Sequence, residues 1–181
     1  MPPALKPIRV EPMTPEEFAP FGMVLSGSTL REPDFRDAGS TGWSYPLFVD
    51  GTPELIVVRT PYLGLRFSKL ERHFHVSQAF VPLHGVRSAV VVSPPSGADH
   101  EAVPSPDSLR AFIVDETTGY VLHRGTWHSL DRYPLTPGYL DVVMLTEAET
   151  SEEVDLPDRE LQRSQEVDFA TTHNLIFEIV P

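Results

Sequence analysis

The chain contains no cysteine among its 181 residues. That excludes a disulfide framework, a thiolate metal site and a cysteine nucleophile, and it fits a cytoplasmic protein. No window approaches the roughly 18 consecutive apolar residues of a membrane-spanning helix, and the opening MPPALKPIRV lacks the apolar run of a signal peptide. Basic residues are scarce. Fourteen Lys and Arg face 26 Asp and Glu, for a net charge of −12. An acidic surface repels phosphate backbones, so neither nucleic acid nor membrane is expected as a partner. Long periodic helical stretches are also few, whereas proline (19) and glycine (11) are plentiful, which points to many turns and short strands.

The remaining composition, 40% hydrophobic and 22% charged, is that of an ordinary globular chain. Its length suits one domain, 1–181, with an acidic C-terminal extension from about residue 147, where Glu147, Glu149, Glu152, Glu153, Asp155, Asp158, Glu160, Glu166 and Asp168 crowd together. MTPEEF (13–18) reads as a helix start, with Thr14 as cap, Pro15 at the first helical position and Glu17 closing a capping box. Strands are predicted over 54–60, 64–76, 79–83, 86–94, 109–115, 120–125 and 139–146, and the segment 86–94 is apolar enough to be buried on both faces. The stretch 94–108 reads as a loop. Thr150 to Glu153 offers a second capping box, and LIFEIV near the C-terminus offers a last strand. Short strands at regular spacing with little helix imply an all-β sandwich or barrel.

The chemistry concentrates in LERHFHVSQAFVPLHG (70–85). On an extended strand, Lys69, Glu71, His73 and His75 share one face and Leu70, Arg72, Phe74 and Val76 the other. The polar face either lies in water or lines a pocket mouth, and two adjacent histidines favour the pocket. His73 and His75 at i, i+2 have the spacing to share a metal ion, with Gln78 and His128 completing the set. A second cluster, GYVLHRGTWHSL (119–130), holds His123, Arg124, Trp127 and His128. By strand parity only one of His123 and Arg124 faces inward. His84, His100 and His173 are isolated in turns or tail. Trp127 suits a barrel wall better than a substrate stack.

The series His73-x-His75, Gln78, Gly85, Gly119, Gly125 and His128 resembles the two motifs of cupins, with Gln78 where that superfamily carries glutamate. More closely, EEFAPFGMVL, LERH, QAFVPL, the VVV strand, LRAFI and YVLHRGTWH, in this order across residues 10–146, resemble the ureidoglycolate lyase family. The resemblance implies a mainly β, cupin-type double-stranded β-helix barrel, a homodimer, and cleavage of ureidoglycolate, a small carboxylate, to glyoxylate and urea in allantoin and purine catabolism. His75 and the long acidic tail depart from the family pattern. The alternatives are a metal-dependent cupin dioxygenase or isomerase, a non-catalytic small-molecule-binding barrel, or a hydrolase using the same base to activate water.

Elimination from such a substrate needs a base for the hydroxyl proton, an acid for the departing nitrogen and a cation for the carboxylate. His73 and His128 suit acid/base or metal duty, and Glu71 suits orienting a histidine. Lys69 or Arg72 suits the carboxylate, with Lys69 favoured by phase. Gln78 suits a substrate oxygen or the ureido group. Metal binding stays open; a bound Mn, Fe, Ni or Zn at His73, His75, Gln78 and His128 would polarise a substrate oxygen.

Overall fold

A computed structural model describes residues 1–26, 32–97, 101–155 and 162–181. His100, Asp158 and Glu160 lie outside the described residues. The elements are β1 (Ala4–Pro12), α1 (Pro15–Phe18), β2 (Gly22–Leu25), β3 (Phe35–Arg36), β4 (Thr41–Gly42), β5 (Pro53–Pro61), β6 (Arg66–Phe67), β7 (Lys69–His73), β8 (Ala79–Gly85), β9 (Ser88–Ser93), β10 (Arg110–Val114), β11 (Gly119–Leu122), β12 (Trp127–Ser129), β13 (Tyr133–Pro134), β14 (Tyr139–Glu147), α2 (Ala148–Asp155), β15 (Ser164–Asp168), α3 (Phe169–Thr172) and β16 (Leu175–Val180). Among the described residues the fold is all-β with three short helices, and its strongly curled sheet fits the cupin-type architecture.

The larger sheet runs β15-β7-β12-β9-β10-β1-β16-β6, with β13 also paired to β9. The smaller runs β2-β11-β8-β14-β5. Strand β9 is buried at every position, as its unbroken apolar run predicts, because it has core on both faces. Val90 and Val92 meet Phe80, Tyr120, Leu140 and Val142 of the smaller sheet. Ala89 and Val91 meet Leu70, Trp127, Val167, Phe169 and Phe177 on the other side. Phe18, presented by α1, plugs the first cluster edge-on to Phe112 and Tyr120. Thr14 caps that helix by accepting from the Glu17 amide at 3.2 Å, as its sequence predicts. The expected strand at LIFEIV is β16.

Two expectations fail locally. Strand 64–76 is broken at Ser68 and ends at His73. The second capping box does not form, because α2 starts at Ala148 directly off β14 and places Thr150 inside its first turn. There Thr150 donates its hydroxyl to Glu147 Oε1 at 2.6 Å. Glu147, fully buried, also accepts from the Gly51 amide at 2.9 Å and from Arg163 at 2.8 Å. A buried carboxylate is tolerated when donors surround it in this way. The acidic segment beyond residue 147 therefore supplies strands to the main sheet. β15 pairs antiparallel with β7, and β16 pairs parallel with β1.

Candidate active site

Between the two sheets lies a cavity of about 250 Å³. The larger sheet contributes Glu71 and His73, the smaller Phe80, Val142, Met144 and Thr146, Gln78 enters just ahead of β8, and α2 closes the rim with Thr150, Ser151 and Val154. The alternation of β14 explains its share: Val142, Met144 and Thr146 point inward, and Asp141, Val143 and Leu145 outward.

Register assembles the polar centre. In the β12–β7 pair His128 lies opposite Glu71. Its ring centroid is 5.1 Å from that of His73, and Glu71 Oε1 sits 3.8 Å from His73 Nε2 and 3.7 Å from His128 Nδ1. His128 Nδ1 is 3.2 Å from the Ser129 carbonyl, which only accepts, so Nδ1 carries the proton and Nε2 is bare. His73 Nδ1 is 2.9 Å from Ser164 Oγ. Both Nε2 atoms are buried without a hydrogen-bond partner, as is Gln78 Oε1. Buried polar atoms are usually satisfied, so two orphans lining one cavity, His73 Nε2 and Gln78 Oε1, with His128 Nε2 next to them, mark a place where a ligand supplies the missing partners. Both imidazoles are neutral near pH 7. Burial, reinforced by the positive charge of Arg132, lowers the His73 pKa to about 4 against a weak opposing pull from Glu153. The same two causes, with His73 itself, hold His128 well below its ordinary value.

Glu71, His73 and His128 bring three ligand atoms within 4.8 Å of one another. Two unprotonated imidazole nitrogens and one carboxylate fit a divalent ion. His75 does not join them. The chain bends after His73, phase is lost, and the His75 side chain, 39% exposed, pairs with Asp50 at 2.8 Å.

The other residues singled out in the sequence are placed as follows. Lys69 is exposed and pairs with Glu166 of β15 at 2.6 Å. Arg72 is fully buried on the opposite face of β7, held by Gln165, Ser96 and the Gly97 carbonyl and packed against the rings of Phe74 and Trp127. Trp127 is buried in the core and donates to Ser96 at 2.9 Å. His123 and Arg124 are both exposed, the latter over the Phe48 ring. Gln78 alone of this group lines the cavity, with its amide nitrogen 3.3 Å from Thr146 Oγ1.

The cation that does reach the cavity is Arg132, which the sequence did not single out. It is 7% exposed, lies 3.9 Å over the Phe80 ring, and donates one nitrogen to the Ser129 carbonyl at 2.8 Å. Its Nε is buried without a partner. The only hint in sequence is its place four residues after His128, just past a strand that carries a site residue.

A family model described as ureidoglycolate lyase matches residues 5–168, past residue 146 and through α2 and β15. A protein named ureidoglycolate lyase from Pseudomonas aeruginosa strain PAO1 is 36% identical over 133 residues, covering 68% of this chain and 75% of that one. Proteins of the same name from Pseudomonas paraeruginosa strain PA7 (33% over 135 residues, 68% and 75%) and Azotobacter vinelandii strain DJ (32% over 132 residues, 67% and 74%) are similar as well.

Proposed function

The chain belongs to the ureidoglycolate lyase family, and from this membership we propose that it cleaves ureidoglycolate to glyoxylate and urea. The observation that carries the reading is a small cavity lined by one buried arginine, Arg132, and by His73, a neutral histidine whose Nε2 is open and whose ring packs against that of His128. Arg132 binds the substrate carboxylate. Gln78 Oε1 accepts from the terminal ureido amide. His73 Nε2 takes the hydroxyl proton while the carbonyl forms and the carbon–nitrogen bond breaks. It then returns that proton to the ureido nitrogen, so atoms and charge balance across one turnover. The transient imidazolium faces the Glu71 carboxylate, which stabilises it.

Glu71, His73 and His128 would hold a divalent ion, Mn, Fe, Ni or Zn, which when bound supplies a Lewis acid at a substrate oxygen. We further propose a cytoplasmic homodimer joined through the outer face of the smaller sheet. There Leu55, Val57, Val81 and Leu83 are 64, 60, 37 and 57% exposed, and Val57, Val143 and Val81 form one row across three strands. No helix among the described residues is long and apolar enough to cross a membrane.

The test is turnover of racemic ureidoglycolate, with glyoxylate, urea and ammonia followed separately, with and without chelator. Equal glyoxylate and urea without ammonia is the expected result. Ammonia in place of urea would replace the lyase by a hydrolase, and no turnover would overturn the substrate.

A further inference from the structure

Where the smaller sheet faces the cavity it is polar at one end and apolar over the next two rows, and strand pairing sets the order. Gln78 and Thr146 stand together at the polar end, 3.3 Å apart. The next row runs Phe80, Met144, Ile56 across β8, β14 and β5, and Val142 and Val58 form the row after it. All five of these side chains line the cavity. Ile56, Val58 and Met144 are only half-buried although they face inward, because the cavity lies in front of them. The cleavage proposed above uses none of the five. Arg132 lies 3.9 Å over the Phe80 ring. The apolar wall therefore begins beside the cation assigned to the carboxylate and extends away from Gln78, the acceptor assigned to the ureido end.

We propose that this wall is an alkyl subsite, and that the cavity takes 2-oxo acids with a short straight chain, and the ureido acids that release them, in preference to their shorter homologues. Every carbon of ureidoglycolate is bonded to oxygen or nitrogen. That molecule has nothing to lay on the wall, and burying its amides there would cost them their hydrogen bonds. An alkyl chain gains from the same surface. With the carboxylate on Arg132 and the ureido group at Gln78, the free position is the hydrogen on the reacting carbon. An alkyl group can replace it without disturbing either end. The chemistry is unchanged: the carbon–nitrogen bond breaks, the hydroxyl proton ends on the ureido nitrogen, and the products are urea and a longer 2-oxo acid in place of glyoxylate. The room suffices, since an apolar cavity of about 150 Å³ holds benzene and this one has about 250 Å³.

The substrate class rests on the lyase reading; the subsite does not. The experiment is isothermal titration calorimetry of the full chain with pyruvate, 2-oxobutyrate and 2-oxovalerate, beside turnover of ureidoglycolate by the same preparation. Each added methylene should tighten binding roughly 4-fold. In the turnover assay 2-oxovalerate should compete with ureidoglycolate. Val58→Thr keeps the shape of the side chain and places a hydroxyl in the wall, so the 2-oxovalerate-to-pyruvate ratio of affinities should fall roughly 10-fold. Val57→Thr, one residue along on the outer face of the sheet, should leave that ratio unchanged. If Val58→Thr fails to fold, Ile56→Thr makes the same test in the neighbouring row. Equal affinities across the series, no measurable binding of any of the three acids, inhibition that ureidoglycolate does not relieve, or a ratio that Val57→Thr lowers as much as Val58→Thr would each overturn the subsite. Binding that tightens with chain length in a protein that leaves ureidoglycolate untouched would retire the lyase reading and keep the subsite. Turnover of ureidoglycolate with a flat series would do the reverse.

Discussion

The rings of His73 and His128 approach to 5.1 Å, and each keeps Nε2 buried and unbonded. Such an arrangement sacrifices stability for readiness to bind. Replacing His73 by leucine should therefore separate the two properties. Turnover of ureidoglycolate should fall at least about 100-fold, while the urea midpoint of unfolding stays the same or rises. Equal losses of folding and activity would count against an open site here.

Acid should unfold the protein early. His73 titrates near 4 when folded, against about 6.5 unfolded. Between these values the unfolded chain binds a proton that the folded chain refuses, so stability is full above pH 6.5 and declines as pH falls toward 4. His73 alone accounts for about 3 kcal/mol over that window, and His128, shifted in the same direction, steepens it. Urea unfolding at a series of pH values measures the slope. A flat profile from 7 to 5 would mean that these rings are not held neutral.

Arg132 should matter to binding more than to rate. Losing a charge-assisted hydrogen bond to a carboxylate weakens binding roughly 10–100-fold. Arg132→Gln should raise KM by that factor, with a smaller fall in kcat. An unchanged KM would move the carboxylate elsewhere.

At Gly22 the backbone of β2 runs against β11. A Cβ there would sit 1.9 Å from the Val121 carbonyl oxygen, an atom of the sheet itself. Gly22→Ala should lower stability by about 1–3 kcal/mol by forcing β2 off its partner, read as a lower urea midpoint. The cavity lies on other strands, so activity below the transition should survive.

Placing one charge on the smaller sheet's outer face should split the dimer. Val57→Asp sits in the middle of the apolar row and points away from the cavity. Sedimentation velocity should show dimer for the unaltered chain and monomer for the variant. A variant that still sediments as a dimer would locate the interface elsewhere.

Local pattern revealed much of the frame. The cap at Thr14, the doubly buried β9 and the alternation that puts Glu71 and His73 on one face are all decided by neighbours in sequence. Phase counting failed at His75, because it assumes the strand continues, and β7 ends one bend earlier. Arg132 was invisible because a single arginine in a loop has no period to betray where it points. Ser164 was equally silent: its contact with His73 exists only through the pairing of β15 with β7, across 91 residues. What sequence pattern conveys is orientation within an element, whereas the site is built by register between elements distant in the chain.

The parallel pairing of β1 with β16, Ala4 to Leu175 through Arg9 to Val180, sets a timetable for biosynthesis. At about 5–20 residues per second of translation, the first two-thirds of β1 waits on the order of ten seconds or more for its neighbour to emerge. Its last third can dock earlier on β10, through Val10, Glu11 and Pro12. The larger sheet thus closes only after β16 has emerged, and Ser164 reaches His73 only once β15 has been made. Folding of this enzyme should be slow, as long-range pairing makes it, and the half-made chain is the form most in need of chaperones.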